Sequence, residues 1–154
     1  MADLTDSIHV AAGPGEVYTL VSDLPRMGCW SPECTGVTWR GRTRAPVEGA
    51  RFIGHNRRGK VRWSTFGEVV AAEEGRRFAF EVTLGPVPVA RWEYTLDADG
   101  SGCTVTEQWT DRRPGPVRRL LDAAMGSRER ANIRGMRATL EALKAEAERE
   151  PSPI

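Results

Sequence analysis

The sequence predicts an α+β domain, a curved antiparallel sheet covered on its concave face by a long C-terminal helix, with a pocket between them. Three observations carry this. Trp63, Trp92 and Trp109 each fall on the apolar parity of a stretch that alternates apolar and polar residues, and alternate side chains of a strand share a face. Turn chemistry recurs at Arg58-Gly59, Glu74-Gly75, Gly85-Pro86 and Asp99-Gly100, which joins neighbouring strands by tight reversals and makes the sheet antiparallel. After Pro114-Gly115-Pro116 the period of the apolar residues changes from two to about 3.6.

Taken in order, Leu4, Ile8 and Val10 share one parity and predict a first strand over 4–11. Gly13-Pro14-Gly15 interrupts it. Proline is tolerated just inside a helix start because its missing N–H would be unpaired there, and Glu16 places a negative charge in the first turn. Val17, Leu20, Val21 and Leu24 then give the stripe of a short helix, ended by Pro25, which disfavours the α region for the residue before it. Residues 25–30 predict a second short helix, halted at Ser31-Pro32. Strands follow at about 35–40, 50–58, 61–72, 76–84, 88–97 and 102–111, bounds read from the alternation. Leu121, Met125, Asn132, Met136, Leu140 and Leu143 lie along one stripe, predicting a single helix over 117–147 of about 45 Å. The acidic, proline-containing end, 149–154, is expected to fray, leaving one domain over 1–148.

The inner face that these parities build is aromatic yet dotted with polar groups. Trp63 shares its face with Thr65, Gly67 and Val69; Trp92 with Ala90, Tyr94 and Leu96; Trp109 with Cys103, Val105 and Glu107. A plain packed core favours aliphatic side chains without polar atoms, so this face reads as the wall of a pocket for a mostly apolar small molecule.

Composition excludes several alternatives. The 154 residues carry 22 basic and 21 acidic side chains, a net charge of +1. Acids are interleaved with bases almost throughout, against the one-sided basic excess of a nucleic-acid-binding protein. No segment has the apolar length of a membrane-spanning helix and no leader pattern opens the chain, so no integral membrane contact and a cytoplasmic location are expected. Cys29, Cys34 and Cys103 are an odd number without Cys-x-x-Cys spacing, and His9 and His55 are the two histidines. Neither a disulfide framework nor a metal site is expected, and no cofactor is implied: Gly13-Pro14-Gly15 lacks the spacing and lysine of a phosphate loop.

The local sequences resemble the START-like SRPBCC superfamily, in particular its polyketide cyclase/dehydrase branch. The resemblance rests on Ala12 through Tyr18 with Val21-Ser22-Asp23, on Met27 with Trp30 through Cys34, and on Gly49 to Arg57. It continues through Arg77-Phe78-Ala79-Phe80 and Arg91 to Tyr94, then Thr104 to Glu107. It implies the helix-grip fold, a sheet wrapped around a long C-terminal helix with a ligand cavity between. It does not choose a function, because the superfamily includes lipid carriers, aromatase/cyclases and chaperone co-factors.

Site residues follow from parity and stripe. Glu107, an acid on the inward parity, reads either as a proton-transfer group with its pKa raised by burial or as a strand-end acid meeting water or an arginine. Arg128 and Asn132, on or beside the stripe of Met125 and Met136, would orient a carbonyl or carboxylate; alternatively Arg128 reaches solvent over its stem. Asn56, on the parity of Phe52, either donates to a ligand or bonds a neighbouring strand. Tyr94 offers a hydroxyl at the end of an apolar ring, and Phe80, Trp63, Trp92 and Trp109 supply the apolar wall. Trp30 is a lid or a clamp between helix and sheet, and His55 faces solvent. Arg112, Arg113, Arg118 and Arg119 either meet anionic head groups or, more simply, form the solvated start of the helix. Three functions remain open: binding or transport of a small lipid-like or aromatic molecule, a cyclase or dehydratase acting in the same cavity, and a regulatory module with a vestigial cavity. Oligomeric state is not readable from the chain.

Overall fold

The computed structural model describes residues 2–149. Seven strands form one antiparallel sheet in the order β1-β7-β6-β5-β4-β3-β2. They are β1 (Leu4–Val10), β2 (Cys34–Arg40), β3 (Arg51–Arg58), β4 (Val61–Glu73), β5 (Arg77–Leu84), β6 (Val87–Ala98) and β7 (Cys103–Asp111). From β2 to β7 each strand pairs with the next, as the turn dipeptides predict, and β1 closes onto β7. Helix α1 (Pro14–Ser22) and a 3-10 turn (Leu24–Cys29) separate β1 from β2.

Bulges curve the sheet. Register shifts occur between Cys34 and Gly36, between Val69 and Ala71, and between Val82 and Thr83 opposite β6. Each inserts an unpaired residue and bends its strand. Gly67 assists in β4, where Phe52 lies so close across the ladder that a Cβ there would meet its ring at 2.1 Å. The core sits between the inner face, α1 and the C-terminal helix; Val10, Val17, Leu24, Val69, Phe78 and Leu140 are fully buried in it.

The expected single helix over 117–147 is corrected to two, α2 (Gly115–Met125) and α3 (Arg128–Ala147). Gly126 adopts φ 87°, ψ 169°, which no helical turn can contain. Ser127 then caps α3, its side chain accepting from the Arg130 amide at 3.3 Å. Glycine followed by serine is an end and a start. α3 contributes Met136, Thr139, Leu140 and Leu143 to the interior, whereas α2 buries no residue. Of the expected tail, residues 150–154 lie outside the described residues.

Both ends of the barrel-like half-wrap matter for the site. At one end gather the β3–β4 hairpin around Arg58-Gly59, the β5–β6 hairpin around Gly85, the end of β7, α2 and the start of α3; this is the Arg58 end. α3 runs from there to the opposite end, where Lys144 Nζ donates to the His9 carbonyl at 2.9 Å and the Ala11 amide donates to Glu148 at 2.9 Å.

Candidate functional site

A cavity of about 430 Å³ lies between the inner face of the sheet and α3, within the range of small-molecule sites. Parity positions its wall. In the β6–β7 ladder Trp92 stands opposite Trp109 and Tyr94 opposite Glu107, and the two indole rings are 6.4 Å apart at 44°. Phe80 stands opposite Trp92 on the next strand, and Asn56 opposite Trp63. Asn132 and Met136 face them from α3, one turn apart on the buried side.

Glu107 is the chemically unusual member. It is 2% exposed, and its Oε1 accepts from the Tyr94 hydroxyl at 2.8 Å. Its Oε2 has no hydrogen-bond partner among the described residues. Burial raises its pKa to about 8; the Tyr94 hydrogen bond lowers it in part, and the charge of Asp6 raises it. At neutral pH the group is therefore a protonated acid with a donor to spend. Burial and the neighbouring acid push the Tyr94 hydroxyl well above the usual tyrosine value, so it keeps its proton and remains the donor. Of the two sequence readings, the inward one describes its position: no arginine pairs with it among the described residues.

Arg128 lines the cavity from the start of α3. Its Nη2 donates to Glu33 Oε1 at 2.5 Å, and its Nε is buried without a partner among the described residues. The pair ties the start of α3 to the segment before β2. Asn56 is half-buried, its amide donating to the Gly54 carbonyl at 3.4 Å, which leaves the amide weakly held.

Two expected lining residues are corrected. Trp30 packs into the core rather than the cavity wall, with the Arg26 guanidinium 5.4 Å over its ring; Met27 in the 3-10 turn and Ser31 and Pro32 after it line the cavity instead, because the turn ends at Cys29 and no helical period carries through Trp30. Met125 ends α2 and is exposed, since Gly126 turns α2 off the axis of α3. His55 is exposed, bonded to Ser64 and Thr38 on the outer face.

Sequence reasoning missed several participants. Arg113, read as part of a solvated cluster, has a side chain only 5% exposed and held between Asp111 and Asp122 at 2.8 and 3.1 Å; it lines the cavity. Burial pushes the Asp111 carboxyl up, but the hydrogen bonds from the Arg113 side chain and amide, together with its charge, bring it below the ordinary range. Val89 joins Ala90 on the wall because the bulge beside it breaks the parity. Thr139 adds a buried hydroxyl from α3. Among the described residues no group of three or more His, Cys, Asp or Glu side chains is placed to hold a metal ion.

The site's chemistry is thus an apolar, aromatic chamber with a neutral carboxyl–hydroxyl pair inside and the Arg113 and Arg128 guanidinium groups on its lining. Solved structures share the fold around it. A polyketide cyclase-like protein of Corynebacterium glutamicum, Cgl2372, is 33% identical and matches 98% of this chain and 96% of its own at a TM-score of 0.63. The di-domain ARO/CYC StfQ of the steffimycin biosynthetic pathway matches 94% of this chain and 50% of its own at a TM-score of 0.74 and 14% identity. Protein CV1439 of Chromobacterium violaceum matches 96% and 98% at a TM-score of 0.72 and 14% identity. The last two show the fold alone. A comparison with curated proteins gives no match. The description "Polyketide cyclase / dehydrase and lipid transport" belongs to the family model that matches residues 1–148. With that match along the chain and a helix-grip fold around an open cavity, this chain is a member of the polyketide cyclase/dehydrase and lipid transport family.

Proposed function

We propose that the protein binds a small, largely apolar molecule, lipid-like or aromatic, in the cavity between the sheet and α3. The observation that carries this is the wall itself. Three tryptophans and Phe80 surround a space of about 430 Å³ that they do not fill, although a protein interior otherwise closes to near-crystalline density. The Oε2 of Glu107 adds to the case: a buried carboxyl without a second partner is costly, and a ligand carbonyl or hydroxyl oxygen would satisfy it.

The test is titration with a hydrophobic fluorophore, reading tryptophan emission. Trp63, Trp92 and Trp109 face the space, so saturable quenching is expected. Ala131→Trp, at a half-buried position of the wall on α3, places an indole in the cavity and should abolish the saturable phase. Quenching that never saturates, or that Ala131→Trp leaves unchanged, overturns the reading.

One observation favours a second reading, a cyclase or dehydratase. Glu107 is poised to deliver a proton near neutral pH, and Tyr94 holds it in one orientation. Such a pair suits general-acid assistance to loss of water or to enolisation of a bound carbonyl compound. In that case Glu107→Gln would keep ligand binding and lose turnover; a variant that keeps turnover sinks it.

A further inference from the structure

The near-neutral net charge conceals a strongly uneven distribution. The Arg58 end of the molecule, which supplies Glu33, Arg58, Arg113 and Arg128 to the cavity lining, collects a large share of the chain's cations. The β3–β4 hairpin carries Arg57, Arg58, Lys60 and Arg62. α2 adds Arg118 and Arg119, and the start of α3 adds Arg130 and Arg134. None of these eight takes part in an ion pair among the described residues. The acids of this end are mostly committed: Glu33 to Arg128, and Asp111 and Asp122 to Arg113. Glu129 and Asp3 are its remaining negative charges.

Apolar side chains stand exposed among these cations. Val61 at the hairpin, Leu84 at the β5–β6 turn, Leu120 and Met125 on α2 and Ile133 on α3 all project at this end, with Leu120 70% exposed. On α2, Val117 and Leu121 are half-buried against the protein, while Leu120 and Ala124 beside them stand exposed. Arg58 Nη1 donates to the Met125 carbonyl at 3.3 Å, so the hairpin and α2 form one continuous rim.

We propose that this rim is a peripheral docking face for an anionic lipid bilayer, seating this end of the cavity against the membrane so that an apolar ligand passes between them. The proposal adds a partner to the binding reading and rests on it only for the identity of the cargo. Charge complementarity selects the anionic surface. The arrangement of the apolar groups selects a bilayer over a protein: they are isolated points on four separate tips, not a contiguous patch. A protein interface needs a packed apolar centre of matching shape, whereas mobile lipids accommodate scattered points that sink to the headgroup boundary while cations meet phosphates.

Sedimentation with vesicles tests it, comparing phosphatidylcholine alone with phosphatidylcholine containing phosphatidylglycerol. The full chain should bind the anionic vesicles, only weakly the zwitterionic ones, and release as salt is raised. The triple variant Lys60→Ala, Arg118→Ala, Arg119→Ala removes exposed cations away from the cavity wall and should weaken the anionic binding about a hundred-fold, at about five-fold per side chain. Leu120→Ser should weaken it further without altering the salt dependence. Equal binding to both vesicle types, or undiminished binding by the triple variant, overturns the proposal. So does failure to sediment with either vesicle while poly-glutamate is retained by the protein and released by the triple variant, which would assign the face to an acidic protein partner. Fluorophore titration of the same samples reports the cavity separately, so loss of vesicle binding with quenching intact is a statement about the rim alone.

Discussion

Replacing Glu107 with glutamine tests the electrostatics of the cavity through stability, independently of any ligand. The side chain keeps its shape, and its amide oxygen still accepts from the Tyr94 hydroxyl, while the titration disappears. In the folded protein the carboxyl holds its proton up to about pH 8, against an ordinary value of 4.5. Between these values the folded state binds a proton that the unfolded state has released, so stability falls as pH rises, by about 1.4 kcal/mol per unit. The sign follows from the raised pKa: the contribution is harmless below the unfolded value and becomes a growing penalty through the folded one. At pH 7 the penalty is about 3 kcal/mol, and it levels off near ~5 kcal/mol above pH 8. Glu107→Gln should therefore match the parent protein near pH 4.5 and exceed it by about 3 kcal/mol at pH 7. Urea unfolding followed by circular dichroism at a series of pH values measures both curves. A parallel pair of curves would refute the reasoning, because it would mean that the carboxyl titrates alike in both states and is solvated when folded.

Other perturbations separate wall from core. Tyr94→Phe removes the donor that lowers the Glu107 pKa; the titration seen above should move up, and stability should fall by about 1–3 kcal/mol because Oε1 loses its partner. Fluorescence-monitored unfolding of that variant across pH checks both. Gly67→Ala puts a methyl group 2.1 Å from the Phe52 ring, forcing the ring toward the cavity; a loss of about 1–3 kcal/mol together with weaker fluorophore binding is expected, read in the same titration. Arg113→Ala strips the buried Asp111 of its cation and should destabilise by about 3–5 kcal/mol, whereas the exposed Arg118→Ala should change unfolding by no more than about 0.5 kcal/mol.

The sheet was legible because alternation is a local property. Trp63, Trp92, Tyr94, Glu107 and Trp109 declare their face by parity with their immediate neighbours, and the turn dipeptides give the pairing order. Even the Tyr94–Glu107 contact is implicit in the hairpin, since Ala98 opposite Cys103 fixes every pair above it. What escaped has a physical cause in each case. Val89 sits at a bulge, where parity fails. Arg113 is governed by Asp122 across a turn, a contact that no periodic pattern encodes. The α2–α3 break was hidden because Leu121, Met125, Asn132 and Met136 keep a nearly continuous stripe across it, while the Gly126-Ser127 signal is two residues long. Trp30 and Met125 were misplaced for the same reason: each lies where the backbone leaves the period used to aim it.

The separation of α2 from α3 has a consequence for how the molecule can change over generations. A helix that buries no residue fully constrains its own sequence at few points: Val117 and Leu121 on its half-buried side, Gly126 for the turn, Asp122 for Arg113, and the carbonyl end that meets Arg58. Elsewhere along it, substitutions alter the outward chemistry with little effect on folding. The chamber, by contrast, is walled by strands whose inward residues meet in cross-strand pairs such as Trp92 with Trp109 and Tyr94 with Glu107. Lineages of this protein are thus free to change the outward chemistry of α2 while retaining the chamber, and the reverse change would require the whole wall to move together.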